Sequence, residues 1–288
     1  MSDSIITDIH THVLPGVDDG PANLEDALLL LAAHKQAGTQ RLFCTSHLGS
    51  PHFNNTAEDL ADAFASLSTK IGQGEDDLGA QMEGTEPATE ALLAATAVPE
   101  SPSHHPVLLQ GAELRVNQQL TERLQRSEIP TLGHTTYVLL EYPNSELNER
   151  LLDIVHELRI RGFRPIMAHP ERSIVMQKDM AWIDRVQEAG LLLQLTAQCL
   201  ESPPTSRSHM ADKLAWTILE RGGAAVIASD AHDPLHRPPG LTKAYDTIAV
   251  SFGSEVSSAL INNANAVWAD EQIRAVSVPK RKRGLFRR

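Results

Sequence analysis

The chain has 288 residues, an apolar fraction of 41% and a formal net charge of −12 at pH 7. This size allows one domain with a substantial buried core, whereas the negative charge argues against broad nucleic-acid binding. Two cysteines, Cys44 and Cys199, are too few for a disulfide framework and favour a reducing, cytoplasmic compartment. The N-terminal residues lack a basic segment followed by a long apolar run, so we expect neither a signal peptide nor a membrane-spanning segment.

A unit recurs along the chain: an amphipathic helix, a glycine at its end, and a short apolar run that finishes in polar residues. Gly38, Gly162, Gly190 and Gly222 occupy the helix-ending position, where a left-handed backbone is needed. In the helix before Gly162, apolar residues recur at the spacing of one helix face. These residues are Leu147, Leu151, Ile154 and Leu158.

Seven apolar runs predict seven strands. In chain order they are S-I-I-T-D-I-H, R-L-F-C-T-S-H, V-L-L-Q-G-A-E-L, T-Y-V-L-L-E-Y, F-R-P-I-M-A-H-P, L-L-L-Q-L-T-A-Q and A-A-V-I-A-S-D-A-H. Continuous apolar runs are typical of parallel strands buried on both faces, and their alternation with helices predicts an α/β fold. We expect a closed barrel rather than an open sheet, because polar candidate ligands end almost every strand and only a ring brings all those ends together.

Two segments fall outside this pattern. Residues 72–105 are rich in Gly, Glu, Ala, Ser and Pro and predict a mobile insertion before the third strand. Residues 271–288 are expected to be a C-terminal tail that ends in the basic sequence K-R-K-R-G-L-F-R-R. Such a tail is usually disordered and solvated; the alternative is docking to an acidic partner or to the inner membrane surface.

Histidines and carboxylates collect in the short polar tips that follow the apolar runs. The candidate metal ligands are His10, His12, Asp19, His47, Glu113, Glu141, His169, Asp230 and His232. Imidazole nitrogens and carboxylate oxygens together suit Mn²⁺, Fe²⁺ or Zn²⁺, and this many donors exceed the needs of one tetrahedral ion. We therefore predict a hydrolytic centre with a cluster of two or three divalent ions.

The first and last predicted strands end in the same spacing. His10 and His12 flank Thr11, so on an extended strand both imidazoles point to one face and can bind one ion. Asp230 and His232 repeat this spacing on the last strand, which neighbours the first strand in a closed barrel. Neither pair is specific alone, because polar residues often end strands; the hypothesis depends on the whole set.

These motifs carry a family resemblance. D-I-H-T-H-V-L-P-G-V-D-D-G, G-A-E-L-R, A-H-P-E-R and S-D-A-H followed by R-P-P resemble the polymerase and histidinol phosphatase (PHP) superfamily, and within it the bacterial metal-dependent tyrosine phosphatases of the CpsB/YwqE group. The resemblance covers nearly the whole chain outside 72–105 and the basic tail. It implies that residues 1–270 form a single distorted (β/α)7 TIM-like barrel, the PHP fold, with three divalent ions, usually manganese.

The resemblance also implies three ligand sets. The first ion would be bound by His10, His12, Glu113 and Asp230, the second by Glu113 as a bridge with Glu141 and His169, and the third by Asp19, His47 and His232. Asp18 matches the motif less well than Asp19, and we expect it to orient a ligand rather than to bind an ion.

Two arginines match the phosphate-binding arginines of the family. Arg172 of H-P-E-R and Arg237 of R-P-P are therefore the predicted catalytic and substrate-binding residues, because a forked guanidinium group fits phosphate oxygens in pairs. His52 and His236 lie near the same polar tips and are further candidates for substrate contact or proton transfer.

The resemblance implies hydrolysis of phosphotyrosine on proteins, with water activated by the metal ions as the nucleophile. The family's substrates are typically the tyrosine-rich tails of bacterial kinases that control capsule or exopolysaccharide export, so such a kinase is the expected partner. A cysteine-dependent mechanism would need an arginine six residues after the cysteine. Ser50 and Thr205 occupy those positions after Cys44 and Cys199.

Two alternative functions remain open from the sequence. A small-molecule phosphomonoesterase of the same superfamily, acting for example on histidinol phosphate, would use the same ions and a narrower pocket. A non-catalytic metal-binding regulator would be favoured if ligand positions were empty, but each of them is filled. Relative rates on a phosphotyrosine peptide and on histidinol phosphate would distinguish the small-molecule phosphatase from the tyrosine phosphatase. Metal binding without turnover of any phosphoester would favour the non-catalytic regulator.

Overall fold

A computed structural model describes residues 4–79 and 105–279. The strands are β1 (Thr7–Thr11), β2 (Arg41–Cys44), β3 (His47–Leu48), β4 (Val107–Gln110), β5 (Glu113–Arg115), β6 (Tyr137–Glu141), β7 (Arg164–Met167), β8 (Leu192–Thr196) and β9 (Val226–Ala228). The helices are α1 (Leu24–Gln36), α2 (Ala57–Gly79), α3 (Leu120–Gln125), α4 (Glu149–Ile160), α5 (Ile174–Lys178), α6 (Ala181–Glu188), α7 (Met210–Glu220), α8 (Leu241–Phe252) and α9 (Ser254–Trp268). In this part of the chain no helix is long and apolar enough to cross a membrane.

The strands form a curled parallel sheet. One section has the order β1-β2-β4, and the other has the order β3-β5-β6-β7-β8-β9, with every pairing parallel. The chain passes from the first section to the second twice, from β2 into β3 and from β4 into β5. An isolated parallel bridge between Thr11 and Ala231 links β1 to the segment that follows β9.

Each of the seven predicted runs contains a strand, but the second and third runs are each interrupted. Cys44 pairs with Gln110, and the next pair across these strands is His47 with Glu113. Between these pairs the amide of Glu113 donates to Thr45 O at 3.0 Å. The second and third runs therefore stay adjacent across the interruption, and His47 lies directly opposite Glu113.

The helix ends follow the sequence prediction. Gly38, Gly162, Gly190 and Gly222 all have positive φ, between 73° and 91°. At the other end of α4, Asn148 caps the helix by accepting from Arg150 N at 3.1 Å. Of the apolar positions expected on that helix face, Leu151, Ile154 and Leu158 are buried in α4, whereas Leu147 lies before the helix and packs against the core from there.

Two apolar clusters enclose the sheet. The larger one lies between strands and the surrounding helices. The smaller one combines strand residues such as Ile9, Phe43 and Ile166 with Ala264 and Val267 of α9. Because α9 contacts both β1 and β9, it packs across the point where the first and last strands meet.

The two segments predicted to lie outside the domain are described only in part. Helix α2 continues to Gly79, so the first residues of the expected insertion at 72–105 are helical. Residues 80–104, and residues 280–288 with most of the basic charge of the tail, lie outside the described residues. Ile273 and Val276 are buried, so the packed part of the chain extends beyond the expected boundary at residue 270.

Candidate metal centre

The candidate ligands converge at the carboxyl ends of the parallel strands. Ligand atoms lie within 4.8 Å of one another in four overlapping groups: His12, Asp19, His47 and His232; His10, Glu113 and His169; His10, His12 and Asp230; and His47, Glu113 and Glu141. All nine predicted ligands therefore belong to one donor cluster. The sequence places them on separate strand ends, and the curled sheet brings those ends together.

His10 and His12 point their Nε2 atoms at each other across 3.1 Å. The other ring nitrogen of each is already used, because His10 Nδ1 donates to Gln194 Oε1 at 2.9 Å and His12 Nδ1 donates to Asp18 Oδ2 at 2.8 Å. In the neutral rings both Nε2 atoms therefore carry lone pairs that face one another. A cation between them is the arrangement that this geometry favours.

The field around these rings is strongly negative. Burial lowers the pKa of His12, but Asp18 and Glu113 outweigh that effect and raise it to about 10. Burial likewise opposes the charge on His10, whose pKa is nevertheless raised by Glu113 and Asp230. The same carboxylates that favour a proton at these nitrogens also favour a metal ion.

Glu113 lies at the middle of the donor cluster and is 1% exposed. Its Oε1 is 2.7 Å from His169 Nε2, and its Oε2 is 2.9 Å from His47 Nδ1 and 3.5 Å from His12 Nε2. Burial raises the pKa of a carboxyl group, but His10 and His169 outweigh it and hold the pKa of Glu113 well below its usual range. A charged carboxylate with imidazoles on both oxygens is suited to bridge two ions.

Asp230 divides its two oxygens between the histidines and the arginines. Oδ1 lies 3.5 Å from Nε2 of both His10 and His12. Oδ2 accepts from Arg237 Nη2 at 2.8 Å and from Arg172 Nη2. Burial raises the pKa of Asp230, but His10 and the two arginines outweigh it and keep the carboxylate charged.

A third set of donors lies nearer to solvent. Asp19 Oδ1 is 3.1 Å from His232 Nε2 and 3.6 Å from His47 Nε2. Asp19 has 46% of its side chain exposed, whereas His232 has 3%. His232 donates from Nδ1 to Asp230 O at 2.9 Å, so its Nε2 is the nitrogen available to an ion.

Glu141 is grouped differently from the expectation. The family pattern places it with Glu113 and His169, but its Oε2 lies 3.9 Å from His47 Nδ1 and 3.0 Å from Arg115 Nη1. The physical reason is the ion pair with Arg115, since both residues lie at the ends of the adjacent strands β5 and β6.

Several donor atoms in the cluster lack hydrogen-bond partners. Glu113 Oε2, Glu141 Oε2, His47 Nδ1 and His232 Nε2 are buried and lie within 3.1 Å of a group of opposite character, but none of these contacts among the described residues has the geometry of a hydrogen bond. Their hydrogen-bonding capacity is therefore incompletely used. Divalent cations would satisfy several of these atoms at once, and the mixed nitrogen and oxygen donors fit Mn²⁺, Fe²⁺ or Zn²⁺.

Two of the donors sit in a strained backbone conformation. Among the described residues, His169 (φ 35°) and Asp230 (φ 54°) are two of the four non-glycine residues with positive φ. Such conformations cost of order 1 kcal/mol and are retained where the surrounding structure holds them. Both residues lie two positions beyond the end of a strand, β7 or β9, at the donor cluster, so the strain coincides with the site.

Sequence reasoning missed two buried polar residues near the donor cluster, Gln194 and Glu171. Gln194 holds His10, and its signal was a single carboxamide inside the apolar run L-L-L-Q-L-T. Glu171 is fully buried, and its Oε1 accepts from Thr196 N at 3.0 Å. Asp18, expected to orient a ligand, accepts from both His12 Nδ1 and His47 N.

The two other candidate histidines are exposed and belong to none of the donor groups. The side chain of His236 is 86% exposed and pairs with Asp233, and His52 is exposed. Neither cysteine forms a disulfide. Burial raises the pKa of both thiols, so neither Cys44 nor Cys199 is disposed to act as a thiolate.

Comparisons with known proteins agree on one family. The family model for capsular polysaccharide synthesis, CpsB/CapC, matches residues 6–86 and 79–269. The tyrosine-protein phosphatase CpsB of Streptococcus pneumoniae is 26% identical over 269 residues, covering 92% of this chain and 99% of that protein. The tyrosine-protein phosphatase YwqE of Bacillus subtilis is 24% identical over 280 residues, covering 97% of this chain and 98% of that protein.

The fold has a counterpart among solved structures. A structure from work on YwqE of Bacillus subtilis and CpsB of Streptococcus pneumoniae, described there as unique metal-dependent tyrosine phosphatases, superposes with a TM-score of 0.79. The two chains are 21% identical, and the superposition covers 96% of this chain and 100% of the other. At this level of identity the similarity establishes the shared fold.

Proposed function

Because the chain belongs to the CpsB/CapC family of capsular polysaccharide synthesis, we propose that it is a metal-dependent phosphatase that hydrolyses phosphotyrosine on proteins. The relatives named as tyrosine-protein phosphatases support this function along nearly the full length of the chain. The observation that carries the proposal is the position of Arg172 and Arg237, which meet at one oxygen of Asp230 beside the donor cluster.

The two arginines bind the phosphate group of the substrate. Arg172 and Arg237 have 34% and 30% of their side chains exposed, so an anion can reach them from solvent. Burial lowers the pKa of Arg172, but Asp230 and Glu171 outweigh it and raise the value further above its ordinary range. A guanidinium group is always charged at physiological pH, so both arginines can neutralise the phosphate through charge-assisted hydrogen bonds.

The donor cluster would hold three divalent ions, with manganese as the expected species. The ligand sets would be His10, His12, Glu113 and Asp230; Glu113, His169 and Glu141; and Asp19, His47 and His232. Glu141 would have to give up its ion pair with Arg115 to join its set. When bound, such ions lower the pKa of water toward neutrality and offset charge on the transferring phosphoryl group.

The protein residues position these groups and supply no nucleophile of their own. Gln194 and Asp18 hold His10 and His12 in the tautomer that leaves Nε2 free. Arg172 and Arg237 orient the phosphate and stabilise the charge that develops on its oxygens. Phenolate leaves with a conjugate-acid pKa of about 10, so the tyrosyl substrate needs little help from a general acid.

The seven strand runs form one distorted (β/α)7 barrel. Support comes from the Thr11–Ala231 bridge and from the amide of Asp230, which donates to His10 O at 2.9 Å. These contacts connect the last strand to the first. A single ring would explain how ligands from the beginning and the end of the chain share one centre.

The physiological substrate is the tyrosine-rich tail of a bacterial kinase that controls capsule or exopolysaccharide synthesis. The description of the family as one of capsular polysaccharide synthesis supports this partner. A cytoplasmic location fits such a substrate, and the two unpaired cysteines are compatible with a reducing compartment.

The test is turnover of a phosphotyrosine peptide after removal of metal and addition of Mn²⁺. We expect stripping to abolish activity, Mn²⁺ to restore it, and His169→Ala to reduce the restored rate at least 100-fold. His156→Ala, a change of an exposed histidine on α4, is the matched control and should retain full activity. Turnover that survives both metal removal and His169→Ala would refute the mechanism.

A further inference from the structure

The loop of residues 49–56 connects β3 to α2 and is fastened to the donor cluster. Asn55 Nδ2 donates to Val17 O at 2.5 Å and to His47 O at 3.1 Å. Val17 directly precedes the segment that supplies Asp19, so one side chain connects the loop to two ligand-bearing segments. The loop therefore forms a fixed part of the rim of the site.

This loop places an aromatic ring against one of the donors. Phe53 stacks on the imidazole of His47, with ring centroids 5.3 Å apart and an interplanar angle of 11°. The side chain of Phe53 is partly exposed, so part of its ring remains open to solvent at the rim. Phe53 offers no ligand atom, and its aromatic surface beside the donors has no part in binding the ions.

A series of close contacts leads from this ring to the phosphate-binding arginines. Nε2 of the stacked His47 lies 3.6 Å from Asp19 Oδ1, and Asp19 Oδ2 lies 3.3 Å from Arg237 Nη1. A phosphate held by Arg237 therefore lies two side chains away from Phe53. In an aryl phosphate the ring is bonded directly to the ester oxygen, which brings it into this region.

We infer that Phe53 is a specificity-determining residue that favours aryl over alkyl phosphates by packing against the phenol ring of the substrate. This role rests on the proposed phosphatase function and adds a substrate contact to it. Stacked or edge-to-face aromatic pairs are stabilised beyond simple burial of area, and removal of one partner typically changes binding by up to about tenfold. A phosphoserine side chain has no ring and gains nothing from the contact.

The experiment compares Phe53→Leu, which keeps apolar bulk, with Phe53→Tyr, which keeps the ring. Each Mn²⁺-loaded protein is assayed on a phosphotyrosine peptide and on the same peptide with phosphoserine, and its dissociation constants for phenylphosphonate and methylphosphonate are measured by calorimetry. Phe163→Leu is the matched control, because Phe163 is another partly buried phenylalanine that precedes β7, at the opposite ends of the strands.

We expect Phe53→Leu to lower kcat/KM for phosphotyrosine about tenfold relative to phosphoserine and to weaken phenylphosphonate about tenfold relative to methylphosphonate. Phe53→Tyr and Phe163→Leu should keep both ratios within about twofold of the parent. Equal losses on the aryl and alkyl compounds, or unchanged ratios in Phe53→Leu, would overturn the role of Phe53. Absence of phosphotyrosine turnover in the parent protein would refute the proposed function instead, and the two phosphonates would still decide the role of the ring.

Discussion

Gln194 and His10 are hydrogen-bonded at 2.9 Å although they lie on strands β8 and β1, which do not pair with each other. The contact uses the Nδ1 proton of His10 and leaves Nε2 directed at the donor cluster. Gln194 achieves this at a cost, because its own Nε2 is buried without a hydrogen-bond partner among the described residues. Orientation of His10 is therefore obtained together with one unsatisfied buried amide.

We predict that Gln194→Leu weakens Mn²⁺ binding by about 10- to 100-fold, since the tautomer of His10 is no longer fixed. The unfolding free energy of the metal-free variant should stay within about 1–2 kcal/mol of the parent, because leucine removes one unsatisfied group, Gln194 Nε2, but leaves another, His10 Nδ1. Calorimetric metal titration and urea unfolding measure the two effects. Gln187→Leu, a carboxamide change on α6 that contacts Gly223 O, is the control for metal affinity. Unchanged affinity in Gln194→Leu would show that His10 does not need this partner.

Gly20→Ala should disrupt the site through the backbone. A Cβ atom at residue 20 would lie 2.3 Å from His12 O, so the segment with Asp18 and Asp19 would have to move. We expect at least tenfold weaker Mn²⁺ binding and a loss of about 1–3 kcal/mol in unfolding free energy. Gly72→Ala is the control, because nothing lies within 4 Å of the new atom. This variant should retain metal affinity, and its unfolding free energy should rise by up to about 1 kcal/mol because alanine favours helix α2. A variant of Gly20 that binds Mn²⁺ normally would contradict the close approach.

Arg172→Lys and Arg237→Lys should each lower kcat/KM for a phosphotyrosine peptide by about 10- to 100-fold. Lysine keeps the charge but loses the fork that reaches Asp230 and phosphate together. Metal content, measured by elemental analysis, should not change, because neither arginine is a ligand. Arg221→Lys removes another guanidinium group, whose Nη2 donates to both carboxylate oxygens of Asp184 at 2.7 Å, and should leave turnover intact. Parent-like rates in both site variants would remove these arginines from the mechanism.

A buried histidine outside the donor cluster should make stability depend on pH. Burial lowers the pKa of His34 to about 3; the ordinary value is about 6.5. The unfolded chain then binds more protons at His34 between these values, so its contribution to unfolding free energy falls as the pH drops below about 6.5. Asp8 lies 3.8 Å from His34, and burial raises the pKa of Asp8 to about 6. The contribution of Asp8 to unfolding free energy therefore changes with pH in the opposite direction to that of His34.

Comparison of the parent with His34→Gln separates the two groups, because Asp8 is common to both proteins. Between pH 7.5 and pH 5, we expect the parent to lose about 2 kcal/mol more unfolding free energy than the variant. Urea unfolding of both metal-free proteins at several pH values measures this difference. Parallel pH dependence in the two proteins would show that His34 titrates normally in the folded state.

The strand ends and the donor set could be predicted because both follow local rules. Apolar runs with period-two side chains place His10 and His12 together on one face, and parallel strands direct their carboxyl ends to one edge. The observed distance of 3.1 Å between their Nε2 atoms agrees with that expectation. Gly38 and Gly162 likewise marked helix ends through their backbone conformation.

Contacts between distant segments could not be predicted from the same rules. The breaks between β2 and β3 and between β4 and β5 are not visible in the apolar pattern of the sequence. They depend on hydrogen bonds between strands that are distant in the chain. Arg115 draws Glu141 toward itself, and the family pattern contains no information on that competition. Phe53 lies in a polar loop, and only the folded chain brings it onto His47.

The bridge between Thr11 and Ala231 also constrains the order of events during synthesis. His12 N donates to Ala231 O at 2.9 Å, so the first strand has its final neighbour only after residue 231 has left the ribosome. A nascent chain that already contains His10, His47 and Glu113 still lacks Asp230, the residue that connects the histidines to both arginines. The full donor cluster can therefore assemble only after residues 230–232 have been synthesised, whatever part of the sheet has formed before them.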